Sequence, residues 1–292
     1  MKIAELLKTR KTFSFEFFPP RTPETTRHLF DALELLRELR PDFVSVTHSP
    51  SGFGTLKTAA LAKLIRDRFD LNPMAHLACI THTRAEIEGI VRELDRIGID
   101  NILALRGDYP PGYAGSSADP RGYKHAHELV AQLRQISSAC IGVAGYPQKH
   151  PQAATLEQDI KHLGRKVACG ADFIITQLFF INADYFSFVE QCRSAGITVP
   201  IIPGIMPVTG YSQLEKFSEM CGAAIPAVLR TRLEPVKNDD AAVAARGVDF
   251  ASEQCRQLLE NGAPGIHFYT LNKSRAALAI LKKLKDTGLI SN

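Results

Sequence analysis

The sequence lacks an excess of charge of either sign. Against 35 Lys and Arg stand 31 Asp and Glu, a net charge of +4 over 292 residues. The basic residues form no stripe of the kind that follows a phosphate backbone, so nucleic acid is not an expected partner. No apolar run approaches the ~18 residues of a membrane span, and Met1-Lys2-Ile3-Ala4-Glu5 opens no secretory h-region. The six cysteines, at 79, 140, 169, 192, 221 and 255, include no C-x-x-C pair. They read as reduced, buried thiols of a cytoplasmic protein. Three catalytic signatures are also missing. There is no H-E-x-x-H, no G-x-S-x-G, and no Gly-rich phosphate turn after the first strand, where Phe18-Pro19-Pro20-Arg21 stands instead. The nine histidines assemble no metal site. His125 and His127, two apart, diverge if they lie on a helix.

What is present is a soluble globular balance, 45% apolar and 23% charged. Eight short β-rich runs recur: Thr12–Phe17, Phe43–Thr47, Ala75–Ile80, Asn101–Arg106, Cys140–Ala144, Phe173–Leu178, Ile201–Met206 and Ile266–Leu271. Amphipathic segments separate them. Ile87, Ile90, Val91, Leu94 and Ile97 follow the helical stripe, as do Leu29, Leu33, Leu36 and Leu39. Strand and helix alternating eight times predict an α/β chain folded as one (β/α)8 TIM barrel spanning 1–292. Asp108 to Gly122 reads as a long loop, and Tyr211 to Gly265 has room for extra helices between strands seven and eight.

Active sites of such barrels form at the C-terminal strand ends. On strand one Phe13, Phe15 and Phe17 share one face, and Ser14 and Glu16 the other. With the phenylalanines against the helices, Glu16 points into the mouth. Burial beside Phe17, Phe18 and two prolines favours the neutral acid, which suits a proton donor. The alternative for such a carboxylate is an ion pair with Arg21 or Arg106. Strand four ends in Arg106-Gly107-Asp108, and strand six carries Gln177, an amide able to read a heterocycle's edge or to satisfy neighbouring backbone. Gln213 and Phe217, four apart, share a helix face, to flank a ring or simply to pack in the core. The residues alone describe a polar mouth for a planar ligand and name no reaction.

Five blocks carry a resemblance: Ser14 to Pro20, Leu103 to Asp108, Ile174 to Gln177, Pro203 to Pro207 and His267 to Asn272. In order and in kind they resemble the methylenetetrahydrofolate reductases of the bacterial type, which consist of the catalytic domain alone. The resemblance implies an FAD-dependent barrel working by a ping-pong reaction. NADH or NADPH delivers hydride to the flavin, and 5,10-methylenetetrahydrofolate then receives it as 5-methyltetrahydrofolate. Glu16 matches the family's general acid, and Asp108 a carboxylate near flavin and pterin. FAD contacts fall on Thr47, His48, Pro50, His76, Arg106, Gly107, Asp108, Ala126, Tyr146, His150, Ala153, Asp159, His162, Arg165 and Lys166. Substrate contacts fall on Asp108, Gln177, Gln213, Phe217 and Lys273. The chain differs from many relatives at three places: Thr47-His48-Ser49-Pro50, His162, and Lys273 where Arg is common. The resemblance also implies a homo-oligomer. A Schiff-base lyase barrel and a non-catalytic flavin- or folate-binding barrel stand as alternatives.

Overall fold

The computed structural model describes residues 1–48, 54–80, 82–108 and 122–290. Pro50 and most of the expected loop after Asp108 therefore lie outside the described residues. In chain order the elements are α1 (Ile3–Thr9), β1 (Thr12–Phe17), α2 (Pro23–Arg37), β2 (Phe43–Val46), α3 (Gly54–Phe69), β3 (Pro73–Ala78) and α4 (Arg84–Arg96). Then come β4 (Asn101–Leu105), α5 (Ala126–Ile136), β5 (Cys140–Gly145), α6 (Leu156–Ala168), β6 (Phe173–Thr176) and α7 (Asn182–Ser194). The last part holds β7 (Ile201–Ile202), β8 (Gly204–Ile205), α8 (Tyr211–Cys221), α9 (Ala227–Leu233), α10 (Asp240–Glu260), β9 (Gly265–Tyr269) and α11 (Ser274–Asp286).

The strands pair in parallel in the order β7-β6-β5-β4-β3-β2-β1-β9-β8. The seventh expected strand is split. Pro203, with no N–H for a ladder, divides it into β7, which pairs with β6, and β8, which pairs with β9. The two halves of one strand close the ring, giving the expected (β/α)8 barrel. The expected extra helices before the last strand are α9 and α10, joined by a short 3-10 turn at Glu234–Val236.

Side-chain alternation sorts the core into layers. Phe13, Phe15 and Phe17 pack outward with Leu29, Leu33 and Leu36 of α2 in the helix–sheet layer. Phe43, Met74, Leu103, Phe173 and Ile202 fill the barrel interior with Ile3 of α1. The seven-residue α1 is too short for its periodicity to be read in the sequence. It closes the end opposite the mouth, where Ile3 N–H donates to Asn101 Oδ1 at 2.9 Å. A third cluster, Leu178, Met206, Val208, Leu214, Leu229 and Val243, holds α8, α9 and α10 against the mouth. Helix starts follow their caps: Thr22 accepts from Thr25 N–H ahead of Pro23, and Asp239 accepts from Ala241 and Ala242 N–H.

Gly204 is a steric requirement of the closure. A Cβ there would sit 2.3 Å from the Thr176 carbonyl oxygen and 2.6 Å from the Tyr269 ring. Gly204→Ala is therefore expected to destabilise the fold by about 2 kcal/mol through overpacking. Urea unfolding checks this, and an unchanged midpoint refutes it.

Candidate active site

The inward face of β1 meets that of β9 in register, Ser14 opposite His267 and Glu16 opposite Tyr269. Ser14 Oγ and His267 Nδ1 are 2.8 Å apart. His267 is fully buried, and its Nε2 lies 3.8 Å from Glu16 Oε2; His76 Nε2, from β3, lies 3.5 Å from the same oxygen. Both Nε2 atoms are buried without a hydrogen-bond partner. Glu16 is 8% exposed, and Thr270 Oγ1 donates to its backbone carbonyl at 2.6 Å, fixing the strand end. Burial pushes His76 down to about 4, although the Glu16 charge acts the other way. This imidazole is thus neutral at pH 7. Burial, aided by Glu16, lifts the Tyr269 phenol well above its ordinary range, and its Oη donates to the Thr176 carbonyl at 2.6 Å. Among the described residues neither Arg21 nor Arg106 pairs with Glu16, which faces imidazoles instead.

From Glu16 the mouth widens into a cavity of about 650 Å³, within the range that holds a small-molecule ligand. After β4 the chain turns at Gly107, whose φ of +80° suits glycine and whose absent Cβ would lie 2.8 Å from Ala78 Cβ. Arg106 Nη1 donates to Gln152 Oε1 at 2.7 Å. The Tyr146 ring stands edge-on to His150, centroids 4.7 Å apart, and burial raises its phenol. Asp159 Oδ2 accepts from His150 N–H at 2.9 Å. Lys166 Nζ donates to the Ala144 carbonyl, and burial brings this amine down to about 8, with Asp159 opposing the fall. One end of the mouth thus gathers Arg106, Arg165 and Lys166 with the carboxylates of Asp108 and Asp159. At the other, Gln177 Oε1 accepts from Leu178 N–H at 2.9 Å, and among the described residues its NH₂ has no acceptor.

The expected site residues that are described gather here, with three exceptions. Glu16, Thr47, His76, Arg106, Gly107 and Asp108 line the mouth, as do Ala126, Tyr146, His150, Ala153, Asp159, His162, Arg165, Lys166, Gln177 and Phe217. His48 does not; its ring stands edge-on to His82, centroids 5.3 Å apart. Gln213 accepts from Thr209 Oγ1 at 3.2 Å, and Lys273 is exposed at the start of α11; neither lines the mouth. Residues not anticipated also line it, notably His267, Tyr269, Gln152 and the pair His125 and His127. Period-two alternation along β9 marks His267 and Tyr269, as it marked Glu16 on β1. The two histidines do not diverge. His125 is the extended N-cap of α5, outside the helix, so its ring stacks on His127 at 5.6 Å and 14°.

A family model described as Methylenetetrahydrofolate reductase matches residues 2–285. The 5,10-methylenetetrahydrofolate reductase of Salmonella typhimurium is 40% identical over 271 residues, covering 93% of this chain and 90% of that protein. Methylenetetrahydrofolate reductase (NADH) 1 of Arabidopsis thaliana is 35% identical over 306 residues, covering 99% of this chain and 51% of the plant protein. Among solved structures, an uncharacterized Clostridium thermocellum protein that binds two copies of 5-methyl-5,6,7,8-tetrahydrofolic acid aligns with a TM-score of 0.63. At 15% identity over 98% of this chain and 99% of that one, it bears on the fold alone. The family match and the bacterial identity extend over nearly the whole chain, from the β1 acid to α11, and the chain belongs to the methylenetetrahydrofolate reductase family.

Proposed function

We propose that the mouth binds FAD and that the protein reduces 5,10-methylenetetrahydrofolate to 5-methyltetrahydrofolate, with NADH or NADPH as the reductant and Glu16 as the proton donor. The observation that carries this reading is the Glu16 carboxyl, buried at a strand end with two unpartnered imidazole nitrogens aimed at it. Family membership supplies the substrate class.

The residues present fit the cofactor. Arg165 and Lys166 suit a pyrophosphate, Asp159 would accept from a ribose hydroxyl, and the close turn at Gly107 would let backbone approach a flat ring. Bound there, FAD supplies the hydride chemistry that no side chain provides.

The chain's own part is acid catalysis and positioning. A proton passed from the Glu16 carboxyl to an amine nitrogen of the folate turns that nitrogen into a leaving group. The C–N bond breaks with its electron pair on nitrogen, and the five-membered ring opens to an iminium that accepts hydride. The NH₂ of Gln177 donates to an acceptor on the pterin edge. Phe217, half-buried on α8, covers the ring. Asp108, exposed at the rim, holds a negative charge near both ligands. One mouth serves both half-reactions, so the nicotinamide leaves before the folate enters.

The test is the visible absorption of the purified protein before and after anaerobic NADH or NADPH. Flavin bands that bleach with the nucleotide and return with methylenetetrahydrofolate are expected. A protein that is colourless and takes up no added FAD overturns the reading. Lys166→Met is expected to weaken FAD binding about tenfold by removing a half-buried cation, measured by flavin fluorescence on titrating the stripped protein.

A further inference from the structure

The break in the seventh strand deprives one backbone group of the mouth of its ladder partner. β6 pairs with β7 at two positions, Ile174 with Ile201 and Ile175 with Ile202. The next residue of β6, Thr176, is fully buried and directly precedes Gln177. On the β5 side the ladder continues: Thr176 stands opposite Gly145, and Gln177 N–H donates to the Gly145 carbonyl at 2.7 Å. On the broken side Pro203 has no N–H to give, and the Gly204 N–H donates to the Thr176 hydroxyl at 2.9 Å. The Thr176 carbonyl therefore needs a donor from elsewhere, since a buried carbonyl left unpaired is costly.

That donor is Tyr269 of β9, whose Oη gives its proton to the Thr176 carbonyl at 2.6 Å. The fold leaves room for this reach. The Tyr269 ring crosses the break over Gly204, where a Cβ would meet its Cε2 at 2.6 Å and its hydroxyl at 2.8 Å. Burial lifts the phenol well above its ordinary range, so it remains a donor at neutral pH. On β9 Tyr269 stands opposite Glu16. One side chain thus joins the strand pair that carries the acid to the backbone that carries the amide.

We propose that Tyr269 is a positioning residue for the folate: its hydroxyl holds the Gln177 backbone so that the amide meets the pterin edge at a fixed distance from the Glu16 carboxyl. Tyr269 acts through Gln177 and not by touching the ligand. Gln177 Oε1 is committed to Leu178 N–H, which ties the amide's orientation to that same stretch of backbone. A shift at Thr176 therefore carries the amide with it. The residues suited to the flavin stand on other walls, Arg165 and Lys166 on α6 and the turn at Gly107 after β4, and do not depend on this contact. The inference rests on the proposed function, in which Gln177 reads the folate.

The experiment is a double-mutant cycle on the flavin-loaded chain, read by calorimetric binding of 5-methyltetrahydrofolate. Tyr269→Phe keeps the ring over Gly204 and removes the hydroxyl. It is expected to weaken folate binding about tenfold, while flavin reduction by NADH or NADPH proceeds as in the wild type. Gln177→Ala should weaken binding by a similar factor, and adding Tyr269→Phe to it should cost almost nothing more. Tyr185→Phe is the control, since Tyr185 Oη donates to the Ile201 carbonyl beside the same break at 2.8 Å. It should lower the urea midpoint and leave folate affinity intact. A Tyr269→Phe loss that persists in full beside Gln177→Ala makes the phenol a direct contact and overturns the proposal. An equal loss in Tyr185→Phe, slowed flavin reduction, or a Tyr269→Phe chain that takes up no flavin overturns it as well, because the hydroxyl then serves the barrel as a whole. Folate bound equally by wild type and Tyr269→Phe overturns this inference alone, whereas a flavin-loaded wild type that binds no folate overturns the proposed function and the inference together.

Discussion

Glu16→Gln is expected to lower folate-dependent turnover about 10³-fold, the scale of a lost general acid, while flavin binding and reduction by the nicotinamide stay within a few-fold of wild type. The asymmetry follows from position. Glu16 stands at the end of β1 between two imidazoles, and the cationic residues suited to a cofactor lie on α6 and after β4. The amide keeps the size and shape of the acid and removes the proton it gives. Stopped-flow measurement of the two half-reactions separates them. Equal loss in both would mean that Glu16 shapes the mouth as a whole. Retention of both would mean that another group supplies the proton.

Stability is expected to fall steeply as pH drops from about 6.5 to about 4. His76 titrates near 4 in the fold because burial disfavours its cation, with Glu16 pulling the other way and His267 adding to the fall. In the unfolded chain an imidazole titrates near ~6.5. Below that value the unfolded state binds the extra proton, so stability is full above ~6.5 and lost as pH falls toward the folded value. For His76 alone the loss by pH 4 is about 3 kcal/mol. His48, also pushed down to about 4 by burial and by His82 and His76, titrates in the same window. Urea midpoints from pH 7 to pH 4.5 measure the slope, and His76→Gln should flatten it. A slope unchanged in His76→Gln would place the acid sensitivity elsewhere.

The barrel was legible because eight strand patterns each came with a helical stripe, and because Phe13, Phe15 and Phe17 set the facing of Glu16 unaided. The split at Pro203 was not legible as a change of partner, since a two-residue strand carries no periodicity. Nor was α1 legible, whose role depends on Phe173 and Ile202 far along the chain. Among site residues, those at strand ends emerged from alternation. His125 escaped because the expectation placed it on a helix, whereas an N-cap has extended backbone and its ring is free to stack on His127. Lys273 was placed with the substrate, whereas it stands exposed at the start of α11 and does not line the mouth. The Schiff-base reading gains no support from Lys166, since its amine is bound to the Ala144 carbonyl.

The split seventh strand makes the ring unevenly stiff. β1 is laced to β9 at five positions and to β2 at four, so the arc bearing Glu16 is the taut one. Across the seam each half-strand holds its neighbour at two positions. Side chains supply the remaining stitches, Thr176 Oγ1 accepting from Gly204 N–H at 2.9 Å and Tyr185 Oη donating to the Ile201 carbonyl at 2.8 Å. Breathing of the ring therefore concentrates on the arc beside Gln177 and Met206, which line the mouth. The wall that meets the incoming ligands yields, while the wall that holds the acid keeps its place.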